Sequence, residues 1–194
     1  MARQYEMSAR SAGMQRTRES ILDAAVVLFG SAWFDEVTLA DVAKRAGVSQ
    51  QTVVNHFGSK IGLYLTGLQE RYVPENRAVR GSAVPGNIAS IVDAALRDYE
   101  ATGDSTIRTI ALAGRLEELV SVVDGGRTAH REWVERVFAP HVARRRGKSR
   151  ERCLRLLRTV LDVRTWSQLR RDEGLDVEET RTHLVALVEG VLAG

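Results

Sequence analysis

The chain has 194 residues, of which 44% are hydrophobic and 27% are charged, and its net charge at pH 7 is +3. This mixture is typical of a soluble globular protein and excludes a collagen-like or largely disordered chain. The longest apolar run covers residues 24–29, whereas a membrane span needs roughly 20 apolar residues. Because Cys153 is the single cysteine, no disulfide can form within the chain, which favours a reducing, cytoplasmic compartment.

The first segment, 1–16, is basic and lacks an apolar stripe, so we expect a flexible basic arm there. From Thr17 onward, apolar residues recur with the period of one buried helix face. They are Ile21, Leu22, Ala25, Leu28 and Phe29. The spacing predicts a first amphipathic helix that begins after the arm.

Segment 38–57 predicts two short helices joined by a tight turn. Thr38 is a suitable N-cap for the first helix, Gly47 can adopt the left-handed conformation that ends it, and Ser49 can cap the second. The second helix presents polar side chains that can bond to adenine edges or touch a thymine methyl group. They are Gln50, Gln51, Thr52 and Asn55. This arrangement is typical of a DNA-binding helix-turn-helix motif, although a helical hairpin of an unrelated bundle gives a similar pattern.

The remaining sequence predicts further helices. Two prolines and two glycines in 73–87 indicate a linker. We expect helix breaks at 102–104 and at 125–126, where glycines occur, and one continuous helix over 150–171. The last helix, after Asp176, is apolar over so wide an arc that we expect it to bury one side in the core and another against a partner.

Many spaced positions of residues 16–66 resemble the TetR-like (tetracycline-repressor) family of bacterial transcriptional regulators. The matching residues are Arg18, Ile21, Leu22, Ala24, Ala25, Leu28, Phe29, Thr38, Leu39, Val42, Ala43, Ala46, Gly47, Val48, Ser49, Thr52, Val53, His56, Phe57, Ser59, Lys60 and Leu63. The resemblance implies an all-α fold of about nine helices. It comprises a three-helix helix-turn-helix domain over 17–64 and a helical ligand-binding and dimerisation domain over 65–194.

The resemblance also implies a function. Such a protein is a homodimer that binds palindromic double-stranded operator DNA, usually as a repressor, and a small molecule releases it. By the family pattern, Thr38 and Lys60 would contact phosphates, and residues 50–52 would contact bases. Asn55 and His56 would lie near the DNA backbone. The family commonly has a tyrosine, used for a phosphate contact, where this chain has Val54, and we expect Asn55 to replace that contact in part.

The C-terminal candidates are less specific. The expected dimer interface lies in the last two helices and consists of Leu161, Trp166, Leu184, Leu187, Val188 and Val191. The expected ligand-pocket residues are Arg115, His130, Trp133 and Trp166, although the tryptophans fit a packed core as well. The basic stretch 144–158 fits a solvated helix face better than an extra contact with nucleic acid or an acidic ligand.

No P-loop, dinucleotide fingerprint, nucleophile elbow or HExxH motif occurs, so we do not expect an enzyme. No histidine pair has a metal-binding helical spacing, and we expect neither a metal nor a cofactor nor a membrane partner. Two alternatives stay open beside the ligand-responsive regulator. One is a DNA-binding protein without a small-molecule switch, and the other is a helical enzyme.

Overall fold

The computed structural model describes residues 2–194, with side chains from residue 11 onward. Within this range the chain forms helices and turns and contains no strand, which confirms the all-α prediction. It divides into two compact units, Met1–Glu75 and Asn76–Gly194. None of the helices in the described range has both the length and the apolar character of a membrane span.

The N-terminal unit is built from four helices and the start of a fifth. They are α1 (Ala2–Ser31), α2 (Leu39–Ala46), α3 (Gln50–Phe57), α4 (Lys60–Gly67) and, after a π turn (Leu68–Tyr72), α5 (Val73–Gly81). One fully buried cluster holds α1 to α4 together, and it consists of Ile21, Leu22, Val42, Val53 and Leu63. Apolar residues that were predicted to line one face of α1 and of α2 are therefore buried together, and Val53 anchors one side of α3 in the same core.

The start of α1 differs from the prediction. The backbone is helical from Ala2, whereas the apolar pattern predicted a helix beginning at Thr17 after an arm. Residues 2–16 contain no proline and many good helix formers, so a helix can extend through them. Residue 1 of the expected arm lies outside the described residues.

The boundary between the units also lies later than the predicted 64/65. Gly67 of α4, past the predicted boundary, is still buried, and a Cβ there would lie 3.6 Å from Val26 of α1. The π turn is tied to α1 by three ion pairs, because Arg18 contacts Glu70 and Arg71 contacts both Glu19 and Asp23. These contacts join residues about 50 positions apart, so no local pattern could have placed the boundary at 75/76. The predicted linker over 73–87 is wrong in its first part, which is helix α5.

The C-terminal unit contains the remaining helices. They are α6 (Ile88–Leu112), α7 (Val120–Val137), α8 (Ala139–Val142), α9 (Gly147–Val160), α10 (Val163–Ser167) and α11 (Val177–Ala193), with a 3-10 turn (Glu117–Leu119) before α7 and a π turn (Gln168–Asp172) after α10. Its core includes fully or almost fully buried side chains from α6, α7, α9, α10 and α11. The predicted second helical domain is therefore present as a compact body.

Two predicted helix breaks are absent. Helix α6 runs through 102–104, and α7 runs through 125–126. At Gly103 the reason is packing, because a Cβ there would overlap the indole ring of Trp166. At Gly125 the space beside the missing Cβ is open, so this glycine only weakens the helix without ending it.

One predicted helix is in fact two. We expected 150–171 to be continuous, but α9 ends at Val160 and α10 begins at Val163. Asp162 caps α10, since its carboxylate accepts a hydrogen bond from the backbone N–H of Arg164 at 2.9 Å. The break explains why the apolar residues of this segment occupy more than one helical stripe.

Candidate nucleic-acid interface

The turn between α2 and α3 has the geometry that the glycine and the caps predicted. Thr38 and Asp41 form a capping box, in which the Thr38 hydroxyl oxygen accepts from the Asp41 N–H and the Asp41 carboxylate accepts from the Thr38 N–H, both at 3.1 Å. Gly47 ends α2 with φ of 69°, in the left-handed region. Ser49 then caps α3 by accepting from the Thr52 N–H at 3.1 Å. These bonds set the angle at which α3 leaves the turn.

Helix α3 has a buried side and an exposed polar side. Val53 is fully buried in the unit's core. Gln50, Gln51 and Asn55 are exposed, while Thr52 is half-buried. The Gln51 amide donates to the Asn55 side-chain oxygen at 2.9 Å, so the two amides form one pre-ordered pair one helical turn apart. The structure therefore brings the predicted base-contacting residues together on one accessible face.

The other predicted contact residues lie at the edges of this face. Thr38 is exposed, whereas His56 and Val54 are half-buried. Lys60 differs from expectation, because its ammonium donates to the Val37 carbonyl at 2.7 Å and lies 4.3 Å from the centre of the Phe34 ring. Lys60 thus fastens the segment that precedes Thr38. The ammonium group of Lys60 has three N–H donors, and those that do not bond to Val37 could reach a phosphate.

A positioning interaction was missed by the sequence reasoning. Arg18 of α1 forms a two-point contact with the Glu70 carboxylate at 2.8 and 2.6 Å, and its guanidinium lies 5.4 Å from the centre of the Phe57 ring at the end of α3. The hydrogen bonds from Arg18 hold the pKa of Glu70 below its usual value. Arg18 and Glu70 are 52 positions apart, so only the folded unit reveals that Arg18 contacts the end of α3.

The expected dimer residues require a correction. Leu161, Trp166, Leu184 and Val188 are buried inside the chain's own C-terminal unit, so they are core residues and cannot also cover a partner. The wide apolar arc arises because α11 packs against both α6 and α9. Leu187 is 41% exposed and Val191 is half-buried. The exposed stripe of α11 consists of His183, Ala186, Leu187 and Gly190.

The expected pocket residues do not form one group. His130 and Trp133 stack with ring centres 6.2 Å apart, and the Trp133 indole donates to the Arg80 carbonyl at 2.8 Å. Trp166 contacts Tyr99 instead, and its indole donates to the Glu100 carboxylate at 2.7 Å. Arg115 is exposed in the turn after α6.

A buried ion pair lies between these aromatic side chains. The Arg80 guanidinium donates to Asp98 at 2.8 Å and is sandwiched between the rings of Tyr99 and Trp133, at 4.5 and 4.4 Å. Burial raises the pKa of Tyr99 to about 12, so its hydroxyl stays protonated and donates to the Leu161 carbonyl. Arg80 is a polar group that sequence reasoning missed, since it lies in the segment interpreted as a linker.

Comparison with known proteins agrees with this geometry. Residues 21–66 match the family described as bacterial regulatory proteins, tetR family. An 85-residue stretch is 35% identical to the HTH-type transcriptional regulator AlkX of Mycobacterium tuberculosis. That match covers 42% of this chain and 38% of AlkX, so the chain matches well under half of that relative's length.

Solved structures extend the likeness to nearly the whole chain. A transcriptional regulator from Rhodococcus sp. Rha1 has a TM-score of 0.69 at 19% identity, covering 93% of this chain and 96% of that one. A putative transcriptional regulator from Pseudomonas aeruginosa PAO1 has a TM-score of 0.67 at 17% identity, covering 91% of this chain and 90% of that one. At these identities the likeness shows a shared fold. Residues 21–66 thus match the tetR family, and the all-helical fold of the chain is similar to that of these regulators.

Proposed function

We propose that this protein is a transcriptional regulator that binds double-stranded operator DNA through α3. The observation that carries the proposal is the exposed amide face of α3, formed by Gln50, Gln51 and Asn55, opposite the fully buried Val53. A reading helix needs one side anchored and the other free for the major groove. Glutamine and asparagine amides match the donor and acceptor pattern of adenine there.

Phosphate contacts would fix the register of α3 on the duplex. Thr38 is exposed at the start of α2, and Lys60 holds the segment before it through the Val37 carbonyl. In this proposal Thr38 contacts a phosphate directly. Lys60 adds its charge at the same edge and keeps the Thr38 segment in place.

The proposed protein is a homodimer that reads a palindromic operator. Two copies of α3 would enter successive major grooves about 34–36 Å apart. The support for a partner surface is the exposed stripe of α11, in which Ala186 and Gly190 are small enough for close helix approach and Leu187 supplies apolar area. This stripe replaces the buried residues that the sequence had indicated.

The proposed switch is a small molecule that binds the C-terminal unit and releases DNA, so that the protein acts as a repressor. Support comes from the polar and aromatic cluster in that unit, where Arg80, Asp98 and His130 lie among Tyr99 and Trp133. Ligand sites in proteins combine mostly apolar walls with a few placed polar groups. A ligand can shift DNA affinity only if it binds the two conformations with different affinity.

The first experiment is selection of bound sequences from a random duplex pool by the purified protein. Enrichment of a palindromic site is the expected result, and it would also supply a probe for measuring release by candidate small molecules. If a folded protein enriches no sequence, α3 does not read DNA. If it enriches a site but no compound releases it, the protein is a DNA-binding regulator without a small-molecule switch.

A further inference from the structure

The positive charge of this chain is concentrated far from α3 in the sequence. Residues 143–158 carry eight arginine or lysine side chains and one glutamate, a net charge of +7. Because the whole chain has a net charge of +3, the remaining residues sum to −4. The N-terminal unit, residues 1–75, has eight basic and eight acidic residues and is neutral overall. The surplus therefore belongs to one segment of the C-terminal unit.

The structure places part of this surplus on one exposed stripe of α9. Lys148, Arg152 and Arg155 follow at intervals of four and three residues, and all three are exposed. Residues at this spacing lie on one side of a helix, and the three α-carbons span about 10 Å. The opposite side, with Cys153, Leu154 and Leu157, is buried in the core.

Some basic side chains of the segment have structural partners. Arg145 donates to the Leu192 carbonyl at 2.7 Å, and Arg146 donates to the Arg145 carbonyl at 3.0 Å. Arg158 pairs with Glu135 and Glu151. Arg155 shares Glu151 at 3.4 Å while 73% of its side chain is exposed.

Three exposed cations of the segment have no such role. Arg144, Lys148 and Arg152 form no ion pair with any carboxylate of the described residues. Together with Arg155, which shares Glu151, they make a surface, which we call the basic surface, on which positive charge exceeds negative charge. Uncompensated cations at this density attract polyanions.

The chemistry of the basic surface favours phosphates over a lipid bilayer. A helix that lies on a membrane inserts a broad apolar face beside its basic residues. Here the apolar face of α9 is packed in the core. Among the described residues of α9, Leu156 is the one large hydrophobic residue that is exposed, with a relative exposure of 43%. Arginine forms two parallel hydrogen bonds to a phosphate, which suits the rigid, regularly charged backbone of duplex DNA.

We infer that the basic surface binds the phosphate backbone of duplex DNA without regard to sequence. Non-specific DNA affinity is almost entirely electrostatic, and the N-terminal unit has no net charge, so the surplus positive charge of the chain lies in the basic segment. The inference does not depend on operator recognition by α3, because it concerns DNA of any sequence.

The test compares two triple variants with equal net charge. In the surface variant, Arg144→Gln, Lys148→Gln and Arg152→Gln remove the cations that lack carboxylate partners. The control variant is Arg77→Gln, Arg97→Gln and Arg131→Gln, which removes three exposed charges from α5, α6 and α7. Both variants bring the net charge from +3 to zero. Circular dichroism and melting curves establish that both keep the wild-type fold.

The measurement is the dissociation constant for a random-sequence duplex, by fluorescence anisotropy over a series of salt concentrations. Each phosphate contact contributes about 0.9 to the slope of log affinity against log salt concentration. We expect the surface variant to lose about 2 to 3 units of slope and the control variant to lose less than one. Equal losses in both variants would overturn the proposal, because net charge alone would then explain the binding.

A second measurement separates DNA from membranes. Vesicles of phosphatidylcholine with phosphatidylserine are sedimented with each variant, and we expect little binding by any of them. A different result would assign the basic surface to a membrane. In that case the wild type binds these vesicles, the surface variant does not, and both have the same slope of log DNA affinity against log salt concentration. Failure of the random pool to enrich an operator would leave the expected slopes unaltered, so the two proposals fail separately.

Discussion

At the scale of single residues, the caps around α2 and α3 determine where each short helix begins and ends. An eight-residue helix is marginal by itself in water, so it depends on such bonds and on one buried side. Ser49 supplies the bond, and Val53 supplies the buried contact. As a consequence, Gln50 and Gln51 are exposed, and in the proposed function these two side chains meet the base edges.

Gln51→Ala tests that outward face. We expect the variant to lose preference at one base-pair position of the selected operator, by about 1–3 kcal/mol, because one amide pairing to a base is removed. The measurement is the affinity for the operator and for each single base-pair variant of it. Gln69→Ala, an exposed glutamine outside the motif, is the control. Equal weakening of Gln51→Ala on operator and random DNA would contradict base readout.

His130 predicts a pH effect on stability. Burial lowers the pKa of His130 below the usual 6.5, and the hydrogen bond to the Arg158 carbonyl only partly opposes this. The unfolded chain therefore binds a proton more readily. The contribution of neutral His130 to stability is present above pH 6.5 and is lost as pH falls below it. The charged groups that influence it are Arg80, Arg158 and Asp162.

The measurement is the free energy of unfolding in urea between pH 7 and pH 5. We expect it to fall with pH in the wild type and to fall less in His130→Gln, which has no titrating ring. Parallel curves for the two proteins would show that His130 does not titrate differently in the folded state.

At the scale of elements, glycine residues have two different structural roles in this chain. Gly47 ends α2 because its backbone is left-handed, whereas Gly103 lies inside α6 and makes room for the Trp166 ring. The sequence shows a glycine at both positions, and only the contact with Trp166 from a distant helix shows that Gly103 does not end α6. The same contact makes Trp166 a core residue, with its indole fixed on Glu100.

Gly103→Ala tests the packing explanation. We expect a loss of about 1–3 kcal/mol of stability, because an added methyl group must displace the indole ring. Gly125→Ala, in the open middle of α7, is the matched control and gains roughly 0.5–1 kcal/mol from the better helix former. Urea unfolding measures both. A Gly103→Ala protein as stable as the wild type would mean that the ring is not held against α6.

At the scale of the whole molecule, the proposed dimer depends on which side of α11 remains uncovered. Burial leaves Leu187 and Gly190 accessible and encloses Leu184 and Val188. A substitution at Val188 would therefore damage the core and give no information about a partner. The exposed stripe offers a cleaner experiment.

Leu187→Arg places a charge in the centre of the proposed interface. We expect a monomer by light scattering, with melting behaviour close to that of the wild type, since the side chain is not part of the core. Ser121→Arg, at an exposed position of α7 and therefore outside the stripe, adds the same charge and keeps the dimer. A Leu187→Arg protein that is still a dimer would place the interface elsewhere.

Much of this protein follows from local sequence alone. The all-α class, the limits of α2 and α3, and the exposed amides of α3 depend on caps, a left-handed glycine and helix periodicity, which are properties of neighbouring residues. The family resemblance lies in the same stretch. These features are short-range, so a linear reading captures them.

Tertiary structure alone decided the rest. The boundary at 75/76 depends on ion pairs between α1 and the π turn, and the course of α6 through Gly103 depends on Trp166. Likewise, periodicity identified the apolar residues of α11 but could not divide them between the core and an exposed stripe. Burial is a property of the partners that surround a side chain, and those partners come from distant parts of the chain.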